Sequence, residues 1–164
     1  MRSNPNVRAP IVSRDELQTL TGAARAAGSP IVLTNGCFDV IHVGHIRYLE
    51  GAKQLGGFLV VGINSDEQVR KLKGEGRPFQ PEEERAEIVA SFRYVDAVTV
   101  FYEPTVEELI RAIRPDIHAK GTDYTADSVP EREIVISCGG RVAIVGDPKD
   151  HSSTDLIAEI AGRP

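Results

Sequence analysis

Short apolar runs alternate with stretches of helical periodicity along almost the whole chain, and this alternation constrains the fold more than any other feature. Ile31-Val32-Leu33-Thr34, Phe58 to Ile63, Ala97 to Phe101, Asp116 to Ala119 and Val142 to Val145 are strand-length runs. Phe58 to Ile63 is apolar without interruption, as in a strand covered on both faces. His118 breaks the fourth run. Between the runs lie helices. Ser13 and Glu16 have capping-box spacing, Leu17, Leu20 and Ala24 follow on one face, and Gly28-Ser29-Pro30 ends the segment. Ile46, Leu49, Ala52 and Leu55 recur at helical spacing and stop at Gly56-Gly57. Pro81 fits a first helical turn, with Glu82, Glu83 and Glu84 at the positive end of the dipole. Thr105 and Glu108 repeat the capping-box spacing, and further helices are expected over 131–137 and 152–160. The polar segment Arg70 to Gln80, with Gly74, Gly76 and Pro78, reads as a mobile loop.

Strands alternating with helices predict a parallel sheet with right-handed crossovers. The expected fold is α/β: Rossmann-like, three-layered, with a five-stranded parallel sheet. Residues 1–12 read as a disordered lead and 13–164 as a single domain. Ligands of such sheets bind beyond the carboxyl ends of the strands. That rule places Thr34 to His45, Asn64 to Asp66, Lys120 to Tyr124 and Asp147 to Thr154 on one rim.

The net charge of −5 argues against a wide basic face for duplex nucleic acid. The two cysteines, Cys37 and Cys138, have no CxxC companion, so neither a zinc site nor a disulfide is expected. No apolar run approaches the ~20 residues of a membrane span, and residues 1–10 lack the apolar stretch of a signal peptide. A cytoplasmic location without membrane partners is the expectation.

The chemistry concentrates in Thr34-Asn35-Gly36-Cys37-Phe38-Asp39-Val40-Ile41-His42-Val43-Gly44-His45. His42-x-Gly44-His45 opens a helix directly after a buried strand. A helix N-terminus presents free amides and partial positive charge to anions. Gly44 permits close approach of a phosphate. Two imidazoles there can donate to phosphoryl oxygens, and phosphoryl transfer depends mostly on such positioning. The same pair at i, i+3 could hold a metal, but no further ligand cluster is evident.

The segment resembles the HxGH motif of the nucleotidyltransferase superfamily related to class I aminoacyl-tRNA synthetases. TNGCFD…HxGH, AKQLG, NSD, LKGxxRP, KGxDY and a terminal STT-like element are similar to those of D-glycero-β-D-manno-heptose 1-phosphate adenylyltransferases, over residues 13 to 161. Those enzymes make ADP-heptose for lipopolysaccharide or surface glycans. Glycerol-3-phosphate cytidylyltransferases share much of the pattern. The resemblance implies transfer of AMP from ATP to a sugar 1-phosphate, with Mg²⁺ on the triphosphate, pyrophosphate as the product and a homodimer as the assembly.

By the same resemblance His42 and His45 hold the triphosphate, and Lys53 is a phosphate-directed cation. Thr34, Asn35, Gly36, Phe38, Gly44, Lys120, Gly121 and Tyr124 belong to the nucleotide side, Tyr124 either beside the base or anchoring its loop. Ser152, Ser153 and Thr154 would hold the β- and γ-phosphates. Asp39, Asn64, Asp66, Lys73, Arg77 and Arg85 fall on the acceptor side, Arg85 by parallel bonds to a phosphate. Thr122 stands where the family pattern has Gly. Asp147 stands where the cytidylyltransferase pattern has Arg, which favours adenylyl transfer. His151 has no assigned role. A CTP-dependent enzyme acting on glycerol 3-phosphate, and a non-catalytic nucleotide sensor, are the competing readings. A dehydrogenase or P-loop reading would need GxGxxG or GxxxxGK[ST], and neither is present.

Overall fold

A computed structural model describes residues 8–148 and 152–163. Residues 1–7 of the expected lead, and His151, lie outside the described residues. Five strands, β1 (Ile31–Gly36), β2 (Phe58–Asn64), β3 (Ala97–Phe101), β4 (Ile117–Lys120) and β5 (Arg141–Ile144), form one parallel sheet in the order β3-β2-β1-β4-β5. The helices are α1 (Arg14–Ala26), α2 (Val43–Gln54), α3 (Asp66–Lys73), α4 (Glu82–Ala90), α5 (Glu107–Ile113), α6 (Arg132–Ser137) and α7 (Ser153–Ala161).

Alternation along the strands splits the core in two, because successive side chains point to opposite faces. Val32, Leu59, Val61 and Ile63 pack against Leu49 and Ala52 of α2 and Val89 of α4. Ile31, Leu33 and Val60 pack against Leu17 of α1, Leu109 and Ile113 of α5, and Val135 of α6. The result is the expected three layers. β1 shares six register pairs with β2 but only two, Val32↔Ile117 and Leu33↔His118, with β4. At this junction the strand order reverses, and a crevice opens beyond it.

The Ser13–Glu16 capping box forms, with the Ser13 oxygen accepting from the Glu16 amide and Glu16 accepting from the Ser13 amide. Several expectations need correction. Residues 70–73 are helical, not loop: α3 is capped by Ser65 and carries Asp66 and Glu67 in its first turn and Arg70, Lys71 and Lys73 in its last. These charges match the dipole, but the helix buries too little apolar surface to show in the pattern. Pro81 is the N-cap of α4 and not part of its first turn. The Thr105–Glu108 box does not form. α5 starts after Val106, and Glu108 pairs with Arg111 at 3.3 Å.

Residues 8–12, expected in the disordered lead, run along β3. The Val12 amide donates to Val98 O, the Val98 amide to Pro10 O, and Thr99 Oγ1 to Val12 O. The open edge of β3 supplies unpaired backbone groups, and this segment satisfies them. Among the described residues no helix is long and apolar enough to cross a membrane.

Candidate functional site

A cleft of about 490 Å³ lies beyond the carboxyl ends of β1, β4 and β5. Its walls come from residues 37–45, from Lys73 and Arg77, from 121–123, and from 145–148 and 152–155. The turn leaving β1 is strained. Phe38 and Val40 adopt left-handed backbone angles, φ 51° and 54°. A non-glycine residue held there costs about 1–3 kcal/mol, and such strain concentrates at functional sites. Gly36 packs closely beside them, and a Cβ there would stand 3.2 Å from the Phe38 ring.

The turn delivers His42 and His45 to the N-terminus of α2. His42 is the N-cap, and its Nδ1 accepts from the Gly44 amide at 3.1 Å. His45 Nδ1 accepts from the His42 amide at 3.2 Å. The two rings lie 4.0 Å apart. With Nδ1 acting as acceptor, a neutral imidazole carries its proton on Nε2, so each ring is set as an Nε2–H donor. Burial, then the neighbouring His42 and Lys73, pulls the His45 pKa down to about 4. His45 is therefore neutral at physiological pH. Its orientation is fixed by Phe38, at 5.3 Å between ring centroids, and Phe38 stacks in turn on Tyr48. The Tyr48 hydroxyl donates to Ala119 O at 2.7 Å, tying the α2 side of the cleft to β4.

On the facing wall α7 presents its N-terminus. Ser152 Oγ accepts from the Asp155 amide. Ser153 Oγ donates to Asp39 O at 2.6 Å and reaches Val40 O at 3.0 Å. Both hydroxyls are thus engaged in holding α7 in place, while Thr154 lines the cleft and is exposed. Thr122 Oγ1 donates to Asp147 O at 2.6 Å, and the Asp147 carboxylate pairs with Arg47. The residue that departs from the family pattern therefore joins the β4 and β5 loops.

The cleft brings together Phe38, Asp39, His42, Gly44, His45, Lys73, Arg77, Gly121, Ser152, Ser153 and Thr154 from the expected set. Other expected residues fall outside its lining. Lys53 sits at the opposite end of α2, where it donates to Gly57 O at 2.9 Å and pairs with Asp96 at the start of β3. In this structure it anchors that end of the sheet, away from the cleft. Arg85 is fully buried and donates to Gln80 O at 3.0 Å, Cys37 O, Asn64 O at 2.8 Å and Asp66 Oδ1 at 2.9 Å. Its guanidinium clamps the loops around the rim, with four of its five donors engaged inside the protein.

Asn64 and Asp66 serve that clamp. Thr34 is buried within β1, and Asn35 Oδ1 accepts from His118 Nε2 at 2.9 Å. Lys120 is buried, lies 3.8 Å from Glu131 and stands over the Tyr124 ring at 5.0 Å. Tyr124 thus anchors its loop. Among the lining residues, Cys37, Thr122, Asp123, Asp147 and Pro148 belong to the expected rim without an assigned role, and Tyr48, Val145, Gly146 and Asp155 were not anticipated. Tyr48 follows His45 by three positions on one helix, and Gly146 ends the apolar run at the rim; both carried a usable signal.

The cytidylyltransferase-like family matches residues 33–159. The bifunctional protein HldE of Pelobacter propionicus is 49% identical over 153 residues, covering 93% of this chain and 31% of that protein. HldE of Koribacter versatilis is 49% identical over 155 residues, covering 94% of this chain and 32% of that protein. The chain thus spans about a third of the length of these relatives. The crystal structure of the lipopolysaccharide core biosynthesis protein from Thermoplasma volcanium superposes with a TM-score of 0.65 at 26% identity, over 74% of this chain and 100% of that one.

Proposed function

The chain belongs to the cytidylyltransferase-like family and is a nucleotidyltransferase, and from that premise we propose that it transfers AMP from ATP to a sugar 1-phosphate, D-glycero-β-D-manno-heptose 1-phosphate, releasing pyrophosphate. The observation that carries this reading is the pair of Nε2–H donors of His42 and His45 in a cleft closed on its far side by the N-terminus of α7. Anions are stabilised there by fixed dipoles and by neutral donors. The similarity to HldE and to a lipopolysaccharide core biosynthesis protein supports a surface-glycan sugar as the acceptor. Asp147, in place of the Arg of the cytidylyltransferase pattern, supports adenylyl transfer; its carboxylate pairs with Arg47.

In the proposed reaction an acceptor phosphate oxygen attacks the α-phosphorus in line. The new P–O bond forms as the bond to the β-phosphate bridge breaks, and pyrophosphate leaves with that electron pair. His45 donates to the phosphoryl oxygens as their charge grows, and no covalent enzyme intermediate is required. Among the described residues no group of three or more His, Cys, Asp or Glu side chains is placed to hold a metal ion. Mg²⁺ would enter on the triphosphate, which supplies most of its ligands, and neutralise charge on the leaving group. A homodimer belongs to the same proposal and is checked by light scattering.

The test is pyrophosphate release with Mg²⁺, crossing ATP and CTP with heptose 1-phosphate and glycerol 3-phosphate. Turnover with ATP and heptose 1-phosphate alone is the expected result. Turnover with CTP and glycerol 3-phosphate would keep the mechanism and replace both substrates.

A further inference from the structure

Asp39 lines the cleft wall, yet its carboxylate is buried and turned to the protein. The side chain is 1% exposed. Oδ1 accepts from the Phe79 amide at 3.0 Å and the Gln80 amide at 3.2 Å, and Oδ2 from the Phe79 amide at 3.0 Å and from Arg77 Nε at 2.7 Å. Three donors, the Phe79 amide shared between both oxygens, thus hold a carboxylate that is buried.

What Asp39 reaches is Arg77. Taking the Nε edge of the guanidinium leaves the two Nη groups, which have no hydrogen-bond acceptor among the described residues. Arg77 lines the cleft. The Phe79 ring stands beside the guanidinium, 5.3 Å from its centroid to Arg77 Cζ. One edge and one face of the group are thus fixed by the protein. The remaining edge is a planar pair of donors, the geometry that suits bidentate contact with a phosphate. Gln80 is pinned at both ends, its amide by Asp39 and its carbonyl by Arg85, so the Arg77 segment is held to the rim.

We propose that Asp39 is a positioning residue that aims the Nη pair of Arg77 into the cleft as a fork for the phosphomonoester of the acceptor. This deepens the nucleotidyltransferase reading and rests on it. The test is a double-mutant cycle with Asp39→Asn and Arg77→Ala in the full chain. Each single variant raises KM for the sugar phosphate about tenfold, while KM for ATP stays within about twofold. The double variant is no worse than either single one. A second readout needs no turnover: inorganic phosphate is titrated calorimetrically into protein saturated with an α,β-methylene nucleoside triphosphate.

Phosphate affinity falls about tenfold in each single variant and no further in the double. Losses that multiply would show that Asp39 acts independently of Arg77 and would overturn the proposal. Arg77→Lys keeps the charge without the fork, so wild-type phosphate affinity in that variant would overturn it too, even if Asp39→Asn fails to fold. If no sugar phosphate turns over while phosphate binding follows the cycle, the proposed acceptor is wrong and the fork stands.

Discussion

At the scale of single residues, the cleft is organised by groups whose protonation is fixed by burial. His45, with its pKa drawn down to about 4, is a neutral Nε2–H donor; in the proposed reaction its bond to the phosphoryl group would strengthen as charge develops. His45→Ala should lower kcat by about 100- to 1,000-fold with a much smaller change in KM, as steady-state pyrophosphate release would read. An unchanged kcat would remove His45 from the chemistry. His118 shows the same physics inside the sheet. It is fully buried, and desolvation first, then Lys120, lowers its pKa to about 3. The unfolded chain binds its proton near pH 6.5, whereas the folded chain refuses it. This stability is fully present above pH 6.5 and is lost as pH falls towards about 3, at roughly 1 kcal/mol per pH unit. Urea titrations between pH 7 and 4 should show a shallower decline for His118→Gln than for the wild-type chain.

At the scale of elements, α2 has one end in the cleft and the other at the far edge of the sheet. Its N-terminus carries His42 and His45, while Lys53, three turns on, pairs with Asp96. Lys53→Ala should leave kcat and KM within about twofold and lower stability by about 1 kcal/mol or less, as expected for a half-exposed pair. A large loss of kcat would return Lys53 to the mechanism. This residue also marks where sequence ceased to be informative. Strand and helix order was legible because Phe58 to Ile63, Leu49 and Ala52 carry periodicity set by the core they build. The His42-Val43-Gly44-His45 turn was legible because a buried strand leads straight into it. Lys53 and Arg85 were expected in the cleft and lie outside its lining, because a charge has no periodicity; for the same reason the sequence leaves Tyr124 between two roles. Only the packed structure decides whether Arg85 meets three carbonyls and a carboxylate or a ligand. Helix α3 was hidden by its polarity, and the pairing of residues 8–12 by the absence of any local signal for an edge partner.

At the scale of the whole molecule, the sheet consists of two unequal parts that meet beneath the cleft. β1, β2 and β3 are joined by six and five register pairs, and β4 and β5 by four, but β1 and β4 by two. A bound nucleotide would contact residues from both parts, 37–45 on one and 121–123 with 145–148 on the other. Amide hydrogen exchange reports such differences in local opening. The amides of β4 and β5 should exchange faster than those of β2 in the free protein. A ligand that binds only the closed arrangement stabilises it by mass action, so an ATP analogue should slow exchange in β4 and β5 more than in β2 and β3. The β1–β4 junction then acts as a seam, and the substrate is the thread that draws it shut.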